Sequence, residues 1–261
     1  MPSVQQTLGK KLGNLIGDLY FLISMQPVTT DIAVVVPVLN ERENLELLFK
    51  SLNEVIDHLD LTAEIIVADG GSHDGSQETA RRLGARVVTQ TERGYGGALL
   101  AGFAATTAPY VVTMDADLSH QPVFLKDFWQ QRGHADLLIA SRYVSGGKAD
   151  MGAFRLVLSR VLNITYNRVL SLPLRDLSSG FRMYSRSVLD TLELEARDFD
   201  VLEEIVVKIY IAGGRIKEVP FHYRARNSGK SHAKLFRFGW AFSKTLLRMW
   251  RLRRSGQHNP R

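Results

Sequence analysis

A chain of 261 residues, 45% hydrophobic and 23% charged, can bury one full core and reads as a single globular domain with appendages. It has no cysteine, which excludes disulfides, zinc–thiolate sites and thiol nucleophiles. The net charge of +6 sits at one end: Glu218 is the last acidic residue, and the eleven cations from Arg224 to Arg261 make a tail suited to a polyanion, either nucleic acid or an anionic membrane.

Residues 1–30 place Leu8, Leu12, Leu15, Ile16, Leu19, Tyr20 and Ile23 at helical spacing. This predicts an amphipathic helix that either packs on the domain or lies on a membrane surface. Its apolar part, from Leu15 to Met25, contains Asp18 and is too short to span a bilayer. No small-residue cleavage site follows, so it does not read as a signal peptide.

The body begins at residues 31–37, a continuous apolar run expected of a strand covered on both faces and ended by Pro37. A helix follows with Leu45, Leu48, Phe49, Leu52 and Val55 on one face. Strand 64–68 then runs into Asp69-Gly70-Gly71-Ser72-His73-Asp74-Gly75-Ser76. After it come helix 79–83, strand 85–89, helix 97–105, strand 110–114, helix 124–131 and strand 136–140. Such alternation predicts an α/β fold with a mostly parallel central sheet and helices on both faces. Ligands of such sheets bind beyond the carboxyl ends of the strands, which lines up Asn40, Glu41, Asp69, Asp115 and Asp117 along one edge.

Asp115-Ala116-Asp117 closes strand 110–114. Residues i and i+2 of a strand share a side, so the two carboxylates can converge on one hard divalent cation whose shell substrate phosphates complete. An ordinary turn is the alternative. Arg93-Gly94-Tyr95-Gly96-Gly97 precedes a helix, and its backbone could meet a ligand phosphate there or form a plain loop. His73 and His120 lack metal-ligand spacing with other histidines and read as non-catalytic. Glu203 and Glu204 open a helix, where acidic residues suit the N-terminal dipole.

Residues 154–172 read as a helix with Leu158, Val161, Leu162, Thr165 and Val169 against Arg155, Arg160 and Arg168. In residues 233–254, Leu235, Phe238, Phe242, Leu246, Met249 and Trp250 fall on one helical face and Lys234, Arg237, Lys244, Arg248 and Arg251 on the other. An aromatic apolar face with a basic polar face describes a helix lying in a membrane interface; packing on its own domain or on a second subunit is the alternative. The aromatic stripe is on the wrong face for contacting phosphate, which disfavours nucleic acid. No apolar run of 18 or more residues occurs, so an integral anchor is not expected.

The ordered motifs Val36-Pro37-Val38-Leu39-Asn40-Glu41, residues 67–76, Arg93-Gly94-Tyr95-Gly96-Gly97-Ala98 and Asp115-Ala116-Asp117 resemble the inverting family 2 glycosyltransferases. Ser141-Arg142-Tyr143-Val144-Ser145-Gly146-Gly147, residues 175–182, Glu218-Val219-Pro220-Phe221 and Arg226-Asn227-Ser228-Gly229-Lys230-Ser231 resemble the dolichol-phosphate mannosyltransferase branch. The likeness spans roughly residues 32–232. It implies a GT-A type catalytic domain at 31–232 between amphipathic segments at 1–30 and 233–261, and makes helix 154–172 an interface helix.

It also implies a sugar nucleotide as donor, GDP-mannose first and a UDP-sugar such as UDP-glucose next. The acceptor is the phosphate of a polyprenyl lipid, and transfer inverts the anomeric carbon. Pro37, Leu39, Glu41 and Asp69 would hold base and ribose, with Asn40, Gly71, Ser72, Asp74, Gly94, Gly96 and Ala116 completing the nucleotide-sugar site. Asp115 and Asp117 would meet the nucleotide and Mg²⁺ or Mn²⁺. Arg142, Arg155, Arg182, Arg226, Lys230 and Ser231 would hold the acceptor phosphate, with Arg142 and Arg226 foremost.

Three positions depart from the family pattern. A second Asp usual after Asp69 is Gly70; a Gln usual two residues past Asp117 is Ser119, which thins the metal shell; a Lys usual after Ser231 is His232. The expected setting is peripheral, at the cytoplasmic face of a membrane, with a homo-oligomer compatible. Two rival readings are transfer to a soluble or polysaccharide hydroxyl, which needs a carboxylate base, and a membrane- or nucleic-acid-binding module whose sugar site is inactive.

Overall fold

A computed structural model describes residues 30–224 and 235–256, the last stretch with side chains from 242 to 255. The predicted N-terminal helix, Arg226, Lys230 and Ser231 lie outside the described residues.

The chain runs β1 (Ile32–Val38), α1 (Arg42–His58), β2 (Ala63–Asp69), α2 (Ser76–Arg82), β3 (Arg86–Thr89), α3 (Tyr95–Ala104) and β4 (Tyr110–Thr113). Then come α4 (Leu125–Gln131), β5 (Leu137–Ser141), β6 (Lys148–Ala149), α5 (Ala153–Leu170), β7 (Arg182–Ser185) and α6 (Arg186–Leu189). The described part ends with α7 (Val201–Ile211), β8 (Ile216–Pro220), β9 (His222–Tyr223) and α8 (Leu235–Gly256). Seven strands form one sheet in the order β3-β2-β1-β4-β7-β5-β8, and β6 pairs with β9 in a separate ribbon. Within the sheet β7 runs antiparallel to β4 and β5, and every other pairing is parallel. The mostly parallel α/β expectation holds; the antiparallel insertion is new.

Successive strand residues face opposite sides, and β1 divides its side chains accordingly. Ala33 and Val35 enter a core with Leu99 and Phe103 of α3, Tyr166 of α5, Ile205 of α7 and Phe242 and Met249 of α8. Ile32, Val34, Val36 and Val38 enter the other core, with Leu45, Leu48, Phe49 and Leu52 of α1 and Phe128 of α4. Burial on both faces is why β1 reads as an unbroken apolar run.

Pro37 does not end β1, which continues to Val38. It does end one ladder. Met114 N donates to Val35 O, so the backbone polar groups of Val35, and of Pro37 two residues on, face β4. Proline has no N–H to donate, and β1–β4 pairing stops at Val35–Thr113. There β4 leaves the sheet, at the switch in strand order where sheets of this kind bind ligands, and the Asp115–Asp117 segment follows directly.

The C-terminal helix departs from the membrane-interface expectation in its described part. Phe242 and Met249 are buried and Leu246 and Trp250 pack on the same core. Tyr166 Oη donates to Phe242 O at 2.6 Å, Thr245 Oγ1 donates to Asp200 at 2.5 Å, and Arg248 pairs with Glu195 and Glu204. From Phe242 to Trp250 the predicted apolar face is spent on its own domain. Helix α5 behaves oppositely: Asn163, Tyr166 and Leu170 face inward, whereas Phe154 (72% exposed), Val157, Val161 and Ile164 face out. Among the described residues no helix is long and apolar enough to cross a membrane.

Candidate active site

The acidic pair is not on a strand. β4 stops at Thr113, and Asp115 to Asp117 form a turn followed by Leu118 at φ +64°. The Asp115 side chain is 36% exposed. Asp117 is buried, and its Oδ1 accepts from Ser119 N at 3.0 Å and Ser119 Oγ at 2.5 Å. Ser119 thus braces Asp117.

Two aromatic residues flank the Asp115 carboxylate. The Tyr95 hydroxyl lies 3.4 Å from Oδ1, and its ring stacks on Phe199 with centroids 4.5 Å apart. Burial around the hydroxyl, reinforced by the Asp115 charge, pushes the Tyr95 pKa well above its ordinary value, so the phenol keeps its proton. On the other side His120 stacks on Phe181, its Nδ1 accepts from Asp115 N at 2.9 Å, and its Nε2 stands 3.7 Å from Oδ2. With the Nδ1 lone pair in use, the neutral ring carries its proton on Nε2, which makes His120 a brace for Asp115 rather than a cation ligand.

Among the described residues no group of three or more His, Asp or Glu side chains is placed to hold a metal ion. Two carboxylates two residues apart, one part-exposed and one buried and held by Ser119, still fit a hard divalent cation whose remaining positions would be filled by diphosphate oxygens and water.

The nucleotide-side residues are brought to one rim and knitted together. Asn40 N donates to Ser72 Oγ, His73 N donates to Asn40 Oδ1, Glu41 N donates to Ser76 Oγ and Arg42 N donates to Asp74 Oδ2, each within 3.0 Å. Asp69 Oδ2 accepts from Gly71 N, Ser72 N and Gln77 Nε2. Burial alone would raise the Asp69 carboxyl, but the Ser72, Gly71 and Gln77 hydrogen bonds hold it below the ordinary carboxylate value. Asp74 is lowered too, its burial outweighed by Ser76 and Arg42. Asn40, Ser72, Asp74 and Asp69 therefore shape the two loops with the groups that were expected to hold nucleotide. Pro37 is half-buried and Leu39 is exposed at this rim; Ala116 is buried.

Gly94 and Gly96 are required by close packing of their backbone. Gly94 has φ +102°, and a Cβ there would stand 2.2 Å from Arg197 O; one on Gly96 would meet Arg197 C at 2.8 Å. The motif packs against the 195–198 backbone and delivers Tyr95, not a bare loop, to Asp115.

The expected phosphate-binding arginines separate. Arg182 is fully buried and donates to the carbonyls of Ser179, Leu202 and Leu177; it is a structural residue, and its assignment to the acceptor phosphate is corrected. Arg142 donates through Nε and Nη2 to Asp176 and through Nη2 to Ser178, leaving Nη1 uncommitted among the described residues. Burial opposes its charge, but Asp176 more than compensates and holds its pKa above the ordinary value. Arg155 is exposed on α5, and its charge is felt at the Tyr223 hydroxyl together with those of Asp117 and Asp115. Tyr223, a residue that the sequence motifs passed over although it follows Glu218-Val219-Pro220-Phe221 closely, thus lies within the field of both the acidic pair and Arg155.

Glu203 and Glu204 are both buried rather than merely facing the helix dipole. Glu204 accepts from Glu195 N and Ala196 N and pairs with Lys208 and Arg248, fixing the loop behind Gly94. Burial pushes the Glu203 carboxyl up to about 8, with Arg182 pulling the other way.

Residues 33–193 match the Glycosyl transferase family 2 domain. The chain belongs to glycosyl transferase family 2. It is similar to a dolichol-phosphate mannosyltransferase of Pyrococcus furiosus, 33% identical over 78% of this chain and 59% of that protein. The chain therefore spans less than two thirds of that relative. A dolichyl-phosphate hexose transferase of Haloferax volcanii is 31% identical over 84% of this chain and 93% of its own length. Among solved structures, glucosyl-3-phosphoglycerate synthase of Mycobacterium tuberculosis with Mn²⁺, UDP-glucose and phosphoglyceric acid superposes with a TM-score of 0.67 at 25% identity, covering 85% of this chain and 80% of that one. This glycosyltransferase therefore has the GT-A fold.

Proposed function

We propose that this glycosyltransferase moves a hexosyl group from a nucleotide diphosphate sugar to the phosphate of a polyprenyl or dolichyl lipid, inverting the anomeric carbon, as a peripheral protein at the cytoplasmic face of a membrane. GDP-mannose is the favoured donor and a UDP-sugar the next. The names of the Pyrococcus and Haloferax relatives support the acceptor class.

The observation that carries the lipid reading is α5. Its outward residues Phe154, Val157, Val161 and Ile164 form an exposed apolar stripe with Arg155, Arg160 and Arg168 also exposed on the helix. An apolar stripe with cations beside it suits the headgroup boundary of an anionic membrane. The inward side of the same helix is tied to the site: Asn163 Nδ2 donates to Ser178 Oγ and Leu177 N donates to Asn163 Oδ1, next to the Arg142–Asp176 pair. A lipid headgroup at α5 would lie beside Arg155, Tyr223 and Arg142.

The chemistry suits such an acceptor. A phosphate monoester has a second pKa of about 6 and arrives largely ionised, so its oxygen attacks the anomeric carbon without a general base. Arg155 and the Nη1 edge of Arg142 would orient it. The carbon–oxygen bond to the nucleoside diphosphate breaks as the new one forms on the opposite face. When bound between Asp115, Asp117 and the diphosphate, Mg²⁺ or Mn²⁺ would neutralise the charge growing on that leaving group. His120 and Ser119 keep the two carboxylates in place for it.

The test is transfer of radiolabelled sugar from GDP-mannose or UDP-glucose to polyprenyl phosphate in liposomes, with the dephosphorylated prenol as control. Metal-dependent label in the lipid phase, absent with the prenol and lost in Asp117→Asn, is the expected result. Label on the prenol would point to a hydroxyl acceptor; no label from a folded protein would overturn the lipid assignment.

A further inference from the structure

The Tyr95 hydroxyl reaches Asp115 only because of what stands at position 180. A Cβ on Gly180 would come 2.6 Å from the Tyr95 hydroxyl oxygen, while its next neighbours, Asp115 Oδ1 and Tyr95 Cζ, would be at an ordinary 3.7 Å. Gly180 cannot easily draw back, since its carbonyl accepts from the buried Thr113 Oγ1 at 2.7 Å at the end of β4. The hydroxyl therefore occupies the space of a methyl group that this backbone lacks. From there it faces Oδ1 at 3.4 Å, while His120 braces the main chain of Asp115 and approaches Oδ2.

We propose that Tyr95 is a positioning residue for Asp115, and that Gly180 is glycine to admit the Tyr95 hydroxyl. Two stacked rings, Tyr95 on Phe199 and His120 on Phe181, clamp one carboxylate from either side and fix the plane in which it presents itself to a cation. A donor behind a ligating carboxylate holds its orientation and restrains its rotation, and losing such a partner typically lowers metal affinity about 10- to 100-fold. At 3.4 Å the hydroxyl–carboxylate contact is long for an O–H···O bond, so it steers the carboxylate without holding it rigidly. This rests on the reading of Asp115 as the cation-facing carboxylate, so the experiment tests the two separately.

The measurement is binding of UDP and of GDP by titration calorimetry over a series of Mn²⁺ concentrations, with no lipid acceptor present, for the intact protein and for Tyr95→Phe, Gly180→Ala, the double variant and Asp115→Asn. Thermal melting checks that each is folded. Tyr95→Phe keeps the ring on Phe199 and should raise the half-saturating Mn²⁺ by roughly 10-fold or more. Gly180→Ala should do the same by displacing the hydroxyl. The double variant should be no worse than Tyr95→Phe, because with the hydroxyl gone the new methyl meets only ordinary contacts; if Gly180→Ala lowers the melting temperature, Tyr95→Phe should restore it. Unchanged Mn²⁺ dependence in Tyr95→Phe, or losses that add in the double variant, while Asp115→Asn loses metal-dependent binding, would overturn the Tyr95 role and leave the site reading standing. Binding that Asp115→Asn leaves intact would sink both.

Discussion

The Arg142 guanidinium and the Asp176 carboxylate meet through two hydrogen bonds of 2.7 Å, Nε to Oδ2 and Nη2 to Oδ1, at a place where Asp176 is fully buried. A planar fork of donors against a carboxylate fixes both position and angle. Arg142 N donates to the same Oδ2 at 2.9 Å, and Asp176 N donates to Glu218 Oε1 at 2.8 Å. The end of β5, the loop before β7 and β8 are thus joined at one point.

Removing one partner of that pair leaves a buried charge uncompensated, which typically costs about 3–5 kcal/mol. Asp176→Ala should therefore destabilise the fold by that order and abolish transfer. Replacing both residues with methionine should recover most of the stability but no activity. Urea unfolding of the three proteins checks this; a single variant as stable as the parent would refute it.

A second stability prediction concerns the contact of α3 with β1. A Cβ on Gly102 would lie 2.2 Å from Val35 Cγ1. Gly102→Ala gains helix propensity of about 1 kcal/mol, but overpacking a rigid core commonly costs about 1–3 kcal/mol. Net destabilisation is expected, and Val35→Ala added to it should relieve the clash. The comparison is thermal melting of the single and double variants.

What could be read beforehand follows from the range of the forces involved. β1, α1 and β2 were legible because alternation and helical spacing are local, and Asp115 and Asp117 because short motifs are local too. The same reading gave the pair strand geometry at the end of strand 110–114, since nothing near Thr113 reveals that Pro37, two residues past its partner Val35, lacks an N–H. Strand β7 escaped because its first residue, Arg182, looks like a surface cation and is instead buried, satisfied by the nearby Leu177 and Ser179 carbonyls and by Leu202 O at the start of α7. That Gly94 must be glycine against the Arg197 carbonyl could not be read, because that carbonyl is remote in sequence. The helical period of α5 was visible, yet Val161 and Val169 face out and Asn163 faces in; the period does not say which side meets the domain.

The outward stripe of α5 gives a prediction with no stability component. Val157→Asp together with Val161→Asp changes residues whose side chains are exposed, so the melting temperature should stay within a degree or so of the parent. Co-sedimentation with vesicles containing anionic lipid should fall several-fold, as buried apolar area is replaced by charge of the wrong sign. Vesicle binding equal to the parent would remove α5 from the membrane surface.

Glu203 and the rim carboxylates should titrate stability in opposite directions. Burial raises the Glu203 carboxyl from an ordinary 4.5 to about 8, so between those values the folded protein holds a proton that the unfolded chain has lost. Stability from this group therefore falls as pH rises from about 4.5 to about 8, with a limiting slope of about 1.4 kcal/mol per pH unit, and levels off above. Asp69 and Asp74 are held below their ordinary 3.8, so their contribution is present above that value and is lost as pH falls through their folded pKa values. Glu203→Gln removes the first effect and leaves the second. Urea midpoints measured from pH 3 to pH 9 should show the variant matching the parent at the acid end and exceeding it increasingly toward pH 8. An unchanged alkaline limb would mean that Glu203 is ionised in the folded protein, its charge balanced by Arg182.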